Sequence, residues 1–386
     1  MTPNIILLNI TCVSFFLLAF IAFFNPLKVN IIANKWLGVF LFAVGSAILD
    51  VIISGTNARS DYARVIAFNE LSRFAMMPAL YLAVLHYTSP DKVLRKTEYL
   101  HFLPFFIFFI LTASFVIKPG WSVFNAETVP AILKIVVQIF IRLSIPTQLV
   151  VYWLLSYYAL IRHHKNIQLV TSNTIPVNLS WLRFLLFGIL FMILISLMDR
   201  LWGGQFLKMY SPIGYLVGTL CLAYFFLAQK EIYPYETPEL ESINAIINPE
   251  QKSVLAKPRF SEETLLLLKS RVTNLMKTER LFLDNELGLP ELAKEMNVSP
   301  HDLSYLLNEG FGVNFFQFIN SYRIEEAKQL MLSEKYRHLN ILGIAYSAGF
   351  NSKTTFNTAF KKETGLSPSQ FIQQDKGGTA AAASLQ

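Results

Sequence analysis

The sequence predicts an all-α chain in two parts: a polytopic bundle of seven transmembrane helices over residues 1–228, then a soluble helical carboxyl half. Three observations predict it. First, 53% of the 386 residues are hydrophobic, 14% are aromatic and 15% are charged, against about 25% charged in an ordinary soluble domain. That apolar excess does not fit inside a soluble core, so part of the chain belongs in lipid. Second, the charge is uneven: residues 1–228 balance to +9 and residues 229–386 to −2. Third, long apolar runs give way to short amphipathic repeats from residue 281 onward. Together these exclude an all-soluble enzyme, a disordered chain and a secreted disulfide scaffold. The basic balance belongs to the membrane half and does not itself point to nucleic acid. Cys12 and Cys221 both lie in apolar runs and are read as small packed hydrophobes.

A membrane helix needs about 20 mostly apolar residues. Seven segments qualify: 4–24, 36–54, 65–87, 99–117, 131–161, 181–199 and 211–228. Turn chemistry and charge break them at Asn25-Pro26, Gly55–Asn57, Ser89–Asp91, Lys118–Gly120, Arg162–Lys165 and Gly203-Gly204. No Lys or Arg precedes the first segment and no small-x-small site follows it, so it is read as a retained helix. Seven crossings with the amino end outside put the carboxyl half inside. The inward loops then hold seven Lys or Arg and the outward loops five, in weak agreement with the positive-inside rule.

Charges within the spans should face the bundle interior and pair, since an unpaired charge in lipid costs at least about 2.5 kcal/mol. Glu70 and Arg73 are three apart on one helix face. Lys134, Gln138 and Arg142 recur every four residues as a polar stripe. Two readings stand: structural ion pairing with snorkelling, or a ligand pocket lined by Glu70, Arg73, Gln138 and Arg142. Asp50 has no evident partner and is the candidate protonation or ion site. The five tryptophans fall mostly near span ends, as in an interfacial belt.

Residues 229–260 carry Pro234, Pro238, Pro249 and Pro258 among five glutamates. They are read as an exposed, partly extended acidic linker. A connecting helix is expected within 261–280, capped by Ser261 with Glu262 and Glu263 at its positive end. Its stripe of Leu265, Leu268, Val272 and Leu275 either packs onto the following domain or forms a homodimer contact.

Next come a proline-started helix at Leu289–Met296, a turn at Asn297-Val298, and a Ser299-capped helix to Asn308. A longer helix follows over about 315–332. Then the unit recurs: Ile341–Gly349, a turn at Phe350-Asn351, and a Ser352-capped helix to Lys362, stopped at Gly365–Pro368. Helix, short turn, helix is the unit whose second helix enters the major groove. The tail 375–386 is of low complexity and carries no argument.

Residues 281–374 resemble the tandem helix-turn-helix domain of the AraC/XylS family of transcription regulators. The matching residues are Leu292-Ala293, Val298-Ser299, Leu303, Arg323, Ala327, Ile344-Ala345, Gly349-Phe350, Phe356, Phe360–Lys362, Gly365 and Ser367-Pro368. The resemblance implies two recognition helices held by one rigid connector, about 34 Å apart on double-stranded DNA. By position, His301, Ser304 and Tyr305 of the first helix would face base edges. So would Lys353, Thr354, Thr355 and Thr358 of the second, with Lys361 on phosphate. Leu303, Leu306, Phe356 and Phe360 are read as core. Residues 284–310 hold Lys294 against six acidic residues, whereas 319–374 hold seven Lys or Arg against four Glu. The second unit is therefore expected to dominate binding.

The expected whole is a membrane-embedded one-component transcription regulator of a bacterial inner membrane. An amphiphilic or anionic small molecule would bind in the bundle and operator DNA on the cytoplasmic side. The alternatives are a transporter or channel with a fused regulatory domain, and a passive anchor controlled by a partner membrane protein. No zinc-spaced Cys/His cluster, phosphate loop or GxSxG elbow is present, so neither an enzyme nor a cofactor or metal site is expected.

Overall fold

The computed structural model describes residues 3–26, 28–56, 62–89, 95–117, 131–174, 177, 179–202, 205–233, 237–247, 259–336 and 338–374. The turn residues Asn57, Asp91, Lys118–Gly120 and Gly203-Gly204, much of the acidic join and the tail lie outside the described residues. So do the side chains of Lys134 and Gln138. The described residues are helical apart from turns and one isolated bridge. The chain divides into two compact units: 1–163 with 179–234, and 164–178 with 235–386.

The first unit holds α1 (Pro3–Phe24), α2 (Ile31–Ser54), α3 (Ala63–Thr88), α4 (Leu103–Ile117), all but the last turn of α5 (Ala131–Ile167), α6 (Ser180–Trp202) and α7 (Gln205–Ala228). Each expected apolar segment is helical. Among the described residues, three stretches are long and apolar enough to cross a membrane: Ile5–Phe24, Ile31–Ser54 and Arg142–Ile167. Two shorter helical stretches, Ser180–Phe191 and Pro212–Ala228, are also apolar. α2 packs between α1 and α3. Gly38 permits the α1 approach: a Cβ there would stand 3.0 Å from the Ala19 carbonyl oxygen and 3.1 Å from the Phe23 nitrogen.

Polar pairing inside this unit corrects the sequence reading. Arg73 pairs with Asp50 across α2 and α3, which gives Asp50 the partner that the sequence did not reveal. Asp50 is buried, whereas Glu70 and Arg142 are exposed. The physical reason is burial: a carboxylate out of water gains more from a cation than an exposed carboxylate does. Further buried pairs are Tyr87 with Asn34 and His86 with Glu98, the latter at 2.8 Å. Cys12 is buried as expected, but Cys221 is exposed on α7.

In the 235–386 part of the second unit the first helix is α8 (Thr237–Ile247), lying in the stretch read as an extended tether. Pro238 falls in its first turn, where a missing N–H costs nothing, and Ile243 and Ile247 are buried. α9 (Glu262–Thr278) is capped as expected, with the Ser261 hydroxyl accepting from the Thr264 N–H at 3.2 Å. Its stripe is consumed internally. Leu268, Val272 and Met276 are buried in the first core, and Leu265 and Leu275 pack against it. That stripe is therefore not a free dimer face.

α10 (Leu289–Glu295), α11 (Pro300–Tyr305, running into a wider π turn at Leu306–Gly310) and the start of α12 (Phe315–Leu332) complete the first core. The second half of α12 joins α13 (Ile341–Ser347) and α14 (Lys353–Thr364) in a second core. α12 thus feeds both: Phe315, Phe318 and Ile319 enter the first core, while Ile324, Ala327 and Leu330 enter the second.

Candidate nucleic-acid interface

Two helix pairs joined by short turns lie on either side of α12. In the first, Asn297 takes a left-handed conformation (φ 50°) in the turn. Ser299 then caps α11 by accepting from the Asp302 N–H at 3.1 Å, and Pro300 opens the helix. In the second, Gly349 (φ +89°) makes the turn. Ser352 caps α14 by accepting from the Thr355 N–H at 3.1 Å, and Gly365 closes it in a left-handed conformation. Caps of this kind satisfy orphan N–H groups and fix where the helix starts. Leu303, Leu306, Phe356 and Phe360 are fully buried core, as the sequence indicates.

The two candidate recognition helices present different surfaces. On α14, Lys353, Thr354, Thr358 and Lys361 are exposed. Thr354, Thr358 and Lys361 recur at i, i+4 and i+7, which places them on one face. Thr355 is half-buried, and its hydroxyl accepts from Ser352 Oγ at 3.2 Å. It belongs as much to the cap as to the outer face.

On α11, His301, Ser304 and Tyr305 are all half-buried. Arg259 and Phe260 account for part of this. Arg259 Nη1 stands 3.3 Å from His301 Nε2, and its Nε donates to Asp302 Oδ1 at 2.9 Å. The Phe260 ring meets Tyr305 edge-on at 5.8 Å. α8 also packs beside α11. The sequence reading did not single out Arg259, and a cation at the end of a proline-rich stretch carries no signal of it.

Arg323, at the middle of α12, ties the two halves. It is 2% exposed. Its Nε donates to the Phe282 carbonyl at 2.7 Å, and its Nη2 to the Asp284 carbonyl at 2.7 Å and to Ser172 Oγ at 3.0 Å. The guanidinium lies 5.8 Å from the Phe350 ring centroid in the second half. Burial lowers its pKa to about 10, opposed by the nearby Asp284 charge, so it stays protonated at neutral pH. Gly349 seats directly on the same segment. A Cβ there would stand 2.5 Å from the Phe282 carbonyl oxygen and 2.9 Å from Leu283 Cα.

The intramembrane candidates assemble only in part. Asp50 and Arg73 meet, Glu70 and Arg142 are exposed, and the Gln138 side chain lies outside the described residues. Among the described residues, Asp50 Oδ1 and the Asn69 amide nitrogen are buried without a hydrogen-bond partner. Among the described residues no His, Cys, Asp or Glu cluster is arranged to hold a metal.

Residues 292–374 match a helix-turn-helix domain family. Over 91 residues the chain is 36% identical to an uncharacterized HTH-type transcriptional regulator of Staphylococcus aureus (strain COL), covering 24% of this chain and 12% of that protein. Over 88 residues it is 30% identical to the arabinose operon regulatory protein of Escherichia coli (strain K12), covering 23% of this chain and 29% of that one. The arabinose operon regulatory protein of Salmonella typhimurium matches equally, at 30% identity over 88 residues, covering 30% of its length. The chain thus spans less than a third of the curated relatives it matches. No solved structure matches it. Residues 292–374 are therefore an AraC-type helix-turn-helix domain, the DNA-binding domain of transcription regulators, at the carboxyl end of a chain with apolar amino-terminal helices.

Proposed function

We propose that this chain is a membrane-embedded transcription regulator whose apolar helices span a bacterial inner membrane and whose two helix pairs both read DNA on the cytoplasmic side. The observation that carries the reading is the exposed row Thr354, Thr358 and Lys361 on a capped helix, in the same polypeptide as helices apolar enough for lipid. In this role α14 supplies most of the affinity. Lys353 donates to guanine, Thr354 and Thr358 present methyls and hydroxyls to base edges, and Lys361 neutralises a phosphate. α11 contributes His301, Ser304 and Tyr305 once Arg259 and Phe260 give way.

The ligand in this reading is an amphiphile with an anionic head group, which competes with Asp50 for Arg73. The partly exposed Arg73 side chain (33%) supports this. So does the unpartnered Asn69 amide nitrogen, a donor from which an anionic group would accept, since a buried polar group without a partner in a native fold calls for an explanation. The ligand shifts the bundle only if it binds two states with different affinity.

The test selects duplexes from a random pool with the full-length chain in detergent, then measures binding as a function of salt. Sequence-specific enrichment with a steep salt slope is expected. Absence of any enriched duplex at low salt overturns the reading.

A further inference from the structure

We infer that residues 168–173, between α5 and α6, are a working part of the DNA-binding unit, docked in a groove on it and holding it in its DNA-competent arrangement. The inference rests on the function proposed above and names the segment that regulates it.

The groove is framed by the amino ends of α10 and α12 and by the 281–288 segment. Helix amino ends leave N–H groups without intrahelical partners. The N-cap of α10 is Gly288, which has no side chain to supply an acceptor. The Val170 carbonyl supplies it instead, accepting from the Leu289 N–H at 2.7 Å. At α12, Asn314 serves the Gln317 N–H, and the Gln168 carbonyl accepts from the Phe316 N–H at 3.1 Å. Thr171 and Gly288 form an isolated antiparallel bridge. Ser172 Oγ donates to the Leu287 carbonyl at 2.7 Å and accepts from Arg323 Nη2 at 3.0 Å. The Asn173 amide donates to Glu286 Oε1 at 3.1 Å. Ile167, Val170 and Ser172 are each at most 2% exposed. One loop thus caps two helices and completes the coordination of a buried guanidinium, which in turn reaches Phe282, Asp284 and Phe350.

Connectivity gives this loop its role. Residues 163 and 179 belong to the first unit, and 164–178 to the second. The chain therefore crosses between the units at 163–164, at 178–179 and at 234–235, not at the acidic join alone. A displacement of α5 relative to α6 changes the path the loop must span. Withdrawing it strips the Leu289 and Phe316 N–H groups, the Leu287 carbonyl and Arg323 of partners together. Each of these bonds is then exchanged for water at a net cost of about 1 kcal/mol, and because one short loop carries them all they are lost together.

The experiment uses the full-length chain in nanodiscs, with Cys12→Ser and Cys221→Ser removing the native thiols. Thr171→Cys with Gly288→Cys places thiols across the bridge, where opposed α-carbons stand about 4.5–5.5 Å apart, within the reach of a disulfide. Mild oxidation should cross-link this pair to completion. The DNA probe is the set of duplexes enriched by the wild-type chain. Ser172→Ala alone should weaken binding about tenfold, the scale of one hydrogen bond to a buried cation. Combined with the cysteine pair, Ser172→Ala should return to within about twofold of wild type when oxidised, and lose that affinity again on reduction. A reversible rescue separates docking from simple misfolding. The inference is overturned if the pair does not cross-link, if Ser172→Ala binds like wild type, or if oxidation rescues nothing. A wild-type chain that enriches no duplex overturns the proposed function instead, while cross-linking still reads the docking.

Discussion

Arg323 shows how much one side chain concentrates. The sequence marks it as a family-matching position in an amphipathic helix, which says nothing of its partners. In the structure it is a buried cation whose hydrogen bonds end on Phe282, Asp284 and Ser172. Removing the guanidinium leaves two buried carbonyls and a hydroxyl without their donor. Arg323→Met should therefore destabilise the second unit by about 3 kcal/mol, and Arg323→Lys by less, because an ammonium keeps some of the bonds. Limited proteolysis of the full chain in detergent against temperature, read at cleavages within 237–374, measures this. Its proton leaves only near pH 10, so both folded and unfolded forms are charged below about pH 9 and the group adds no slope of stability with pH there. Gly349 is the second case. Its positive φ and the 2.5 Å approach to the Phe282 oxygen leave no room for a methyl. Gly349→Ala should cost about 2 kcal/mol or more, read by the same proteolysis. Wild-type resistance would show that the 281–284 segment yields freely.

At the scale of elements, the caps were legible because they follow local chemistry. Ser261, Ser299 and Ser352 each accept from the N–H three residues on. Ser352→Ala should cost about 1 kcal/mol and loosen the start of α14, which hydrogen exchange at Thr355 and Phe356 reports. Recognition is argued on the same helix. Lys361→Ala should weaken binding to every duplex and lower the salt slope by about one. Thr358→Ala should instead change which duplexes are preferred. Equal effects of both on all sequences would contradict the assigned roles. α8 and the α9 stripe were less legible. Prolines suggest an extended join, yet Pro238 sits where a helix tolerates it, and two heptads of leucine fit a domain core as well as a dimer seam. Which surface satisfies an apolar stripe depends on what the chain brings against it.

At the scale of the molecule, the prediction concerns solvent. The full-length chain should stay with the membrane pellet after an alkaline wash and be released by detergent, because α1, α2 and the second part of α5 expose apolar side chains along their length. Recovery in the aqueous fraction would refute the lipid assignment. The apolar amino-terminal helices, the later pairs of short helices and their core positions follow from composition and periodicity, since burying apolar area is a property each segment advertises by itself. The Asp50–Arg73 pair, the cover that Arg259 and Phe260 place on α11, and the docking of Ser172 against Arg323 from 151 residues away leave no such trace. A hydrogen bond between distant positions requires only one suitable atom at each end, and folding alone brings those atoms together.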